Sequence, residues 1–190
     1  MKPVKEMSLA ELAAFVCTQL RKHGIVAVLS GGGCVSVHTA NRYQSLDLDF
    51  VENVPTGRKR IKHALFEIGF VEKDRYFLHA DTEFIIEFPA GPLAVGGEPV
   101  REIEEIEFPT GRLALLSPTD CVKDRLAAFY HWNDRQCLEQ ALLVTEAKKI
   151  DLNEVRRWSA AENKSAEFQA IRGELVKAAR KRTDGRRLFE

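Results

Sequence analysis

The sequence predicts an α+β fold, in which helices and strands are interspersed up to about residue 116 and only helices follow. Three observations favour it. Apolar residues recur at helical spacing in several segments, and short β-branched or alternating runs typical of strands lie between them. After residue 117 the patterns are all helical. We therefore expect a core of residues 1–116 followed by a C-terminal helical region of residues 117–190.

The composition is that of an ordinary globular protein with one sizeable domain. The chain has 190 residues, of which 45% are hydrophobic and 29% charged, and its formal net charge is zero. The charge balance argues against a strongly basic nucleic-acid-binding protein. No stretch approaches the roughly 20 apolar residues of a membrane helix, and the N-terminus lacks an apolar signal core. We expect a cytoplasmic protein that does not bind membranes.

The four cysteines form no C-x-x-C pair, so a zinc-finger or thioredoxin-like motif is not indicated. We interpret Cys17, Cys34, Cys121 and Cys137 as free, buried thiols in a reducing compartment. Cys34, with His38 four residues on, is the one alternative as a nucleophile.

The first helix and strand have clear boundaries. Ser8 and Glu11 form a capping-box pattern, and the apolar spacing that follows predicts a helix to about His23. Gly24 supplies the left-handed stop. The β-branched run Ile25–Leu29 then predicts a buried strand.

A glycine-rich turn, Ser30-Gly31-Gly32-Gly33, follows this strand and precedes a short helix expected over residues 33–41. Glycines let the backbone approach a ligand closely, and free N–H groups at a helix N-terminus bind phosphate oxygens. The turn is therefore a candidate phosphate-binding site, and a plain strand-to-helix turn is the alternative.

Two aspartates share one face of the next predicted strand. Asp47 and Asp49 point the same way, while Leu46, Leu48 and Phe50 point the other way. At about 5 Å and an effective dielectric of roughly 20, the repulsion of the two carboxylates is on the order of 3 kcal/mol. A divalent cation would replace that repulsion by ligation, and oxygen ligands suit magnesium.

This arrangement resembles the core motif of the nucleotidyltransferase superfamily, the DNA polymerase β-like fold. The residues that carry the resemblance are the glycine turn, a short helix, Arg42, Ser45 and Asp47-Leu48-Asp49-Phe50. Within the superfamily the chain looks most like small bacterial minimal nucleotidyltransferases and nucleotidyltransferase-like toxins of abortive-infection systems. The resemblance implies a mixed β-sheet core with flanking helices. It also implies that Arg42 and Ser45 help to fix the phosphates; a solvated loop arginine and a turn serine are the alternative.

The segment after the second strand contains a helix, with Ile61 and Leu65 on its apolar face, and then short strands. In the run at residues 83–89, Glu87 is a carboxylate amid apolar neighbours, which is rare without a partner. The resemblance implies a third metal-binding carboxylate from a neighbouring strand, usually Asp, and Glu87 stands at the matching place. An edge-strand glutamate facing water is the alternative, and Glu83 and Asp81 are the next candidates.

The last part of the core and the C-terminal region have strong local signals. A hairpin is expected over residues 99–116, with an acidic, exposed first arm. Ser117, Pro118 and Asp120 predict the start of a helix that runs to about Trp132. By the resemblance, Lys123 on this helix reaches the triphosphate; an exposed lysine is the alternative. Three more helices are expected, over about 136–148, 151–158 and 165–181, and a basic, solvated end over 177–187 that could contact RNA.

The resulting hypothesis is a metal-dependent nucleotidyltransferase that moves a nucleoside monophosphate from a nucleoside triphosphate to an acceptor hydroxyl, with tRNA or a protein among possible acceptors. Asp47, Asp49 and Glu87 would be catalytic and hold Mg²⁺ or Mn²⁺. The nucleotide-binding set would be Ser30, Gly31, Gly32, Gly33, Arg42, Ser45 and Lys123. The alternative is a non-catalytic module of the same fold that binds nucleotide, RNA or a partner protein, as in toxin–antitoxin or regulatory systems.

Overall fold

A computed structural model describes the backbone of residues 2–187 and the side chains of residues 2–182. The helices are α1 (Leu9–Lys22), α2 (Gly31–His38), α3 (Arg58–Phe66), α4 (Pro118–Trp132), α5 (Arg135–Ala147), α6 (Leu152–Ala161) and α7 (Ser165–Arg187). The strands are β1 (Ala27–Ser30), β2 (Asp47–Glu52), β3 (Val71–Lys73), β4 (Tyr76–Leu78), β5 (Ile85–Glu87), β6 (Ala94–Val95), β7 (Glu98–Pro99), β8 (Ile103–Phe108) and β9 (Gly111–Leu116). Met1 and residues 188–190 lie outside the described residues, and so do the side chains of residues 183–187 in the expected basic end, 177–187.

Within the described part of the chain, seven strands form one mixed sheet in the order β3-β4-β5-β2-β1-β9-β8, and β6 and β7 pair separately. β2 is antiparallel to β1 and parallel to β5, while β1 is parallel to β9. The hairpin β8–β9 places the acidic strand β8 at one edge of the sheet, as expected. The observed architecture is thus the expected α+β fold with a mixed sheet.

The helix starts follow the local signals of the sequence. At α1, Ser8 accepts a hydrogen bond from the Glu11 backbone and the Glu11 side chain accepts one from the Ser8 backbone, which completes the capping box. Ser117 caps α4 through the Asp120 N–H, with Pro118 in the first turn. Asp134 caps the start of α5, and Asp151 caps the start of α6.

One hydrophobic core joins the sheet to the C-terminal helices. The largest fully buried side chains include Phe50 on β2, Ile86 on β5 and Trp158 on α6. The Trp158 indole donates a hydrogen bond to Val95 O (3.1 Å) and stacks with Tyr130 of α4. The helical region therefore packs into the same core as the sheet.

The structure corrects several boundaries, and α7 runs to Arg187 where a helix to about residue 181 was expected. β1 begins at Ala27, two residues later than expected, and α2 ends at His38 rather than near residue 41. Leu48 and Phe50 are buried as expected, but Leu46 precedes β2 and is 50% exposed. The span of β2 is set by its pairing with β1, which the alternation of residue types does not reveal.

No helix in the part of the chain that the structure describes combines the length and apolarity needed to cross a membrane.

Candidate active site

The three glycines are the first turn of α2, and this corrects the expectation of a turn followed by a helix. Gly31 has a φ of +61°, a conformation that side chains rarely adopt. A Cβ atom on Gly31 would lie 2.2 Å from Oδ2 of Asp49. The start of α2 is thus pressed against the Asp49 carboxylate, and only glycine permits that approach.

The next two glycines bring α2 equally close to the start of β2. A Cβ atom on Gly32 would lie 3.0 Å from Oγ of Ser45, and one on Gly33 would lie 3.0 Å from the backbone oxygen of Asp47. Ser45 Oγ also accepts a hydrogen bond from the Asp47 N–H (3.1 Å). Ser45 therefore fixes the strand entry beside the helix N-terminus.

The strand register places Ser30, Asp49 and Glu87 in one row across the sheet. Ser30 on β1 is paired with Asp49 on β2, and Asp49 is paired with Glu87 on the parallel strand β5. Directly opposite residues point to the same face of a sheet. Asp47, two residues before Asp49, shares that face. The register therefore brings the three predicted carboxylates to one face, at the strand end where α2 begins.

Ser30 is buried, and its hydroxyl donates a hydrogen bond to the backbone oxygen of Asp49 (3.2 Å). This hydrogen bond links β1 to β2 at the row of Ser30, Asp49 and Glu87. Ser30 is the N-cap residue of α2, but its side chain makes no capping hydrogen bond. The N-terminal N–H groups of α2 are consequently not satisfied by their own cap.

Burial raises the pKa of Asp49 to about 6, from an ordinary value of 3.8. The negative charges of Glu87 and Asp47 act in the same direction, and the positive charge of Arg125 opposes them. Among residues 2–182, no side chain or backbone N–H donates a hydrogen bond to this carboxylate. A half-buried carboxylate with anionic neighbours and no donor is a group that a cation would stabilise.

Glu87 has a cationic partner within the protein. Its carboxylate lies 3.2 Å from Nε of Arg75, whose guanidinium also donates to the Tyr76 hydroxyl (2.6 Å). The Arg75 side chain is 70% exposed, so water screens this ion pair and its contribution to stability is small. Glu87 can therefore exchange Arg75 for a bound cation at little cost.

Arg42 and Lys123 have protein partners in this structure. Arg42 pairs with Glu146 on α5 (2.7 Å). Lys123 is buried, where the alternative interpretation expected an exposed lysine, and it pairs with Asp120 (2.7 Å) and with Glu154 on α6 (3.3 Å). The ammonium group of Lys123 is thus neutralised at the contact between α4 and α6.

Two further residues at the site were not assigned a role from the sequence. Arg125 on α4 is largely buried and donates hydrogen bonds to Asp124 (2.6 Å) and Gln140 (3.4 Å). Its charge lowers the pKa values of both Asp49 and Tyr43, against the larger effect of burial. The Tyr43 ring lies beside Gly32, 3.4 Å from the position a Cβ atom would take. No local pattern marks either residue, since their positions depend on how α4 and α5 pack on α2.

The donor set suits a hard divalent cation. Asp47, Asp49 and Glu87 offer carboxylate oxygens on one face, and Asp47 is exposed, which leaves room for water or substrate oxygens in the coordination shell. The N–H groups at the start of α2 have no side-chain cap, lie beside Asp49 and favour an anion such as phosphate. The residues present therefore fit a metal ion together with a phosphate group.

Comparisons with known proteins bear on the fold. No family model matches the chain, and no curated protein matches its sequence. The chain is similar to two solved structures of the antibiotic-resistance factor ANT(2'')-Ia. The solution structure has a TM-score of 0.50 at 14% identity, over 87% of this chain and 95% of that one. The crystal structure in complex with adenylyl-2''-tobramycin has a TM-score of 0.52 at 13% identity, over 82% of this chain and 96% of that one. At this identity the likeness shows the fold alone, which is the expected α+β type; membership of the nucleotidyltransferase superfamily and the expected closeness to toxin-like proteins stay predictions.

Proposed function

We propose that this chain is a metal-dependent nucleotidyltransferase that moves a nucleoside monophosphate from a nucleoside triphosphate to an acceptor hydroxyl. The observation that carries the proposal is the row of Ser30, Asp49 and Glu87 across three strands, with Asp47 on the same face and the N-terminus of α2 against Asp49. The same fold in ANT(2'')-Ia, which was crystallised with adenylyl-2''-tobramycin, supports it.

In this proposal Asp47, Asp49 and Glu87 hold Mg²⁺ or Mn²⁺, which offsets the negative charge of the triphosphate when bound. The N–H groups of Gly31, Gly32 and Gly33 bind phosphate oxygens, and their rigid helical setting orients the triphosphate. The acceptor oxygen forms a bond to the α-phosphorus, the bond from that phosphorus to the bridging oxygen breaks, pyrophosphate leaves, and the hydroxyl proton of the acceptor is released to water. Arg125 contributes a fixed positive charge near Asp49.

Arg42, Ser45 and Lys123 take more specific roles. Ser45 positions Asp47 through its hydroxyl, as its two hydrogen bonds to the Asp47 backbone indicate. Arg42 is exposed and forms an ion pair with Glu146. It would have to break this ion pair to contact a phosphate. For Lys123 we propose a structural role in place of triphosphate binding, because two carboxylates already neutralise it.

A non-catalytic binding module is the second candidate, and the ion pair between Glu87 and Arg75 favours it. If Arg75 occupies Glu87 permanently, only Asp47 and Asp49 remain for a metal ion. Nucleotide, RNA or a partner protein would then bind without transfer. We place the division between core and helical region at residues 116 and 117 in both candidates.

Thermal unfolding separates the two candidates. Mn²⁺ with a nucleoside triphosphate should stabilise the wild type by about 2.7 kcal/mol when the ligand is at a hundred times its dissociation constant. Asp47→Asn, Asp49→Asn and Glu87→Gln should each lose the metal-dependent part of this stabilisation. Glu102→Gln is the matched control, since Glu102 is an exposed carboxylate just before the edge strand β8, and it should keep the whole effect.

Transfer itself is measured with α-labelled triphosphates incubated with tRNA, protein and small hydroxylated molecules, aminosugars included. Label should appear on an acceptor with the wild type and not with Asp49→Asn. If the wild type shows no metal-dependent stabilisation with any of the four common triphosphates, the enzyme proposal is wrong. Stabilisation lost in the Asp variants but kept in Glu87→Gln would identify a different third carboxylate.

A further inference from the structure

A cluster of two thiols and one imidazole lies inside the protein behind the glycine turn. Cys34 and His38 are four residues apart on α2, and Cys121 is on α4. Their Sγ atoms and one ring nitrogen lie within 4.8 Å of one another. Cys34 and Cys121 have no exposed surface, and His38 is 3% exposed. No role in nucleotide transfer accounts for this cluster.

The hydrogen bonding of His38 leaves one ring nitrogen without a partner. Nε2 lies 2.9 Å from the backbone oxygen of Leu116, which only accepts hydrogen bonds, so Nε2 carries the proton. Nδ1 then has a free lone pair, and it is buried with no hydrogen-bond partner. It is the one such side-chain atom among residues 2–182. A buried polar atom without a partner costs on the order of 1–3 kcal/mol, so native structures rarely keep one without a reason.

A histidine that ligates a metal shows this same pattern of bonds. Its second ring nitrogen donates to a backbone carbonyl or a carboxylate, which fixes the tautomer and directs the free lone pair. In this protein the backbone oxygen of Leu116 accepts that hydrogen bond. A metal-binding imidazole must be neutral, and a single proton on Nε2 leaves Nδ1 free to bind.

We propose that Cys34, Cys121 and His38 bind one Zn²⁺ ion at the contact of α2, α4 and the end of β9. Two thiolates and a neutral imidazole bring the net charge of the occupied site to zero, which is what burial in an apolar core requires. A copper(I) ion on the same ligands would leave a buried negative charge. Thiolate and imidazole are the usual ligands of zinc in proteins.

The protons balance. In the empty site both cysteines are free thiols. Each Zn²⁺ ion that binds forms two Zn–S bonds and one Zn–N bond and releases two protons to water.

The proposed ion would fix the start of α2. Cys34 directly follows Gly33, and Cys121 lies one turn before Arg125 on α4. Zinc would therefore tie the phosphate-binding glycines to the helix that carries Arg125. The site stands independently of nucleotidyl transfer, because its ligands are separate from the carboxylate row.

The test uses the full chain refolded with metal, since the buried ligands are accessible during folding. All variants carry His63→Ala, because His23, His63 and Glu67 form a surface group that could also take zinc. The protein is unfolded with reductant and chelator, freed of chelator and refolded with Co²⁺. We expect the thiolate-to-cobalt absorption band at one ion per chain, and its loss when Zn²⁺ displaces the cobalt.

Cys34→Ser and Cys121→Ser should each weaken zinc binding by more than the roughly 10–100-fold that loss of an outer-shell partner costs. Cys17→Ser is the control, because Cys17 is as fully buried but lies outside the cluster and should leave the affinity unchanged. Zinc should also raise the Tm of the refolded protein and not that of Cys121→Ser.

Absence of a thiolate band in the refolded protein would overturn the proposal, whether or not the serine variants fold. A band that survives in both serine variants would overturn it as well. If mild oxidation instead joins Cys34 to Cys121 while cobalt gives no band, the pair is a disulfide-forming one and the zinc proposal is wrong. None of these outcomes depends on transfer activity.

Discussion

At Asp49 the protein keeps a carboxylate whose ionised form is disfavoured, and this makes stability depend on pH. Its pKa is about 6 in the folded protein and 3.8 ordinarily. Between these values the folded state holds a proton that the unfolded state has released, so the free energy of unfolding falls as pH rises from about 4 to 6. At about 1.4 kcal/mol per pKa unit, the loss at pH 7 is at most about 3 kcal/mol.

Asp49→Asn removes the charge and should remove this loss. Without metal, the variant should be more stable than the wild type by up to about 3 kcal/mol at pH 7 and no more stable at pH 4. Urea unfolding at pH 4, 5.5 and 7 measures the difference. Glu102→Gln is the control and should change little, because Glu102 is exposed and precedes the edge strand β8, which β9 and β1 separate from β2. An equal gain at all three pH values would contradict the electrostatic explanation.

Gly31 is the second sensitive residue of the site. Gly31→Ala places a Cβ atom 2.2 Å from Oδ2 of Asp49 at a φ of +61° and should cost more than about 2 kcal/mol. Gly24→Ala has nearly the same backbone strain, with a φ of +68°, but meets only the end of the Arg60 side chain at 3.3 Å. Urea denaturation of both variants separates crowding from strain. Equal losses would show that the approach of α2 to Asp49 is not tight.

The sequence predicted the carboxylates of the site better than it predicted the residues around them. Asp47 and Asp49 could be placed on one face because strand alternation is local. The pairing of Asp49 with Glu87 spans 38 residues of chain and depends on the parallel register of β2 and β5, so it came from the resemblance. The burial of Arg125 and the pairing of Lys123 with Glu154 are long-range contacts that no local pattern encodes.

Among the elements, α4 shows how a strong local signal and a non-local contact coexist. Its bounds, Pro118 to Trp132, match the expectation because the Ser117 cap and Pro118 are contiguous signals. The start of α2 did not match, because glycine has low helix propensity and only packing against β2 holds three glycines in a helical turn.

The contact between α4 and α6 depends on Lys123. Lys123→Met would leave Asp120 unpaired and Glu154 with Arg157 alone. We expect a loss of up to about 3 kcal/mol, the lower end of the cost of unpairing buried ions, because the Glu154 side chain is 33% exposed. Any stabilisation by Mn²⁺ and triphosphate should be kept. Denaturant unfolding with and without ligand makes the comparison. If the variant keeps its stability but loses the stabilisation by Mn²⁺ and triphosphate, Lys123 contacts the triphosphate as the resemblance implied.

At the scale of the whole molecule, the core and the helical region share one hydrophobic cluster. Cys121, Val122 and Leu126 of α4 are fully buried in the same cluster as Val35 and Leu116. A fragment of residues 1–116 would expose these contacts, and we expect it not to unfold cooperatively. Circular dichroism during heating tests this, with the full chain as the control. A sigmoidal transition of the fragment would show instead that residues 1–116 fold alone.

The position of β8 at one edge of the sheet affects whether neighbouring molecules can pair with each other through their strands. A free sheet edge invites the strand of a neighbour, and six residues is long enough for such pairing. Along β8, however, an approaching chain meets Glu105 and Glu107, which are held by Arg21 and Arg112. The opposite edge, β3, has only three residues. Both edges of the sheet therefore discourage pairing with a strand of a neighbouring molecule.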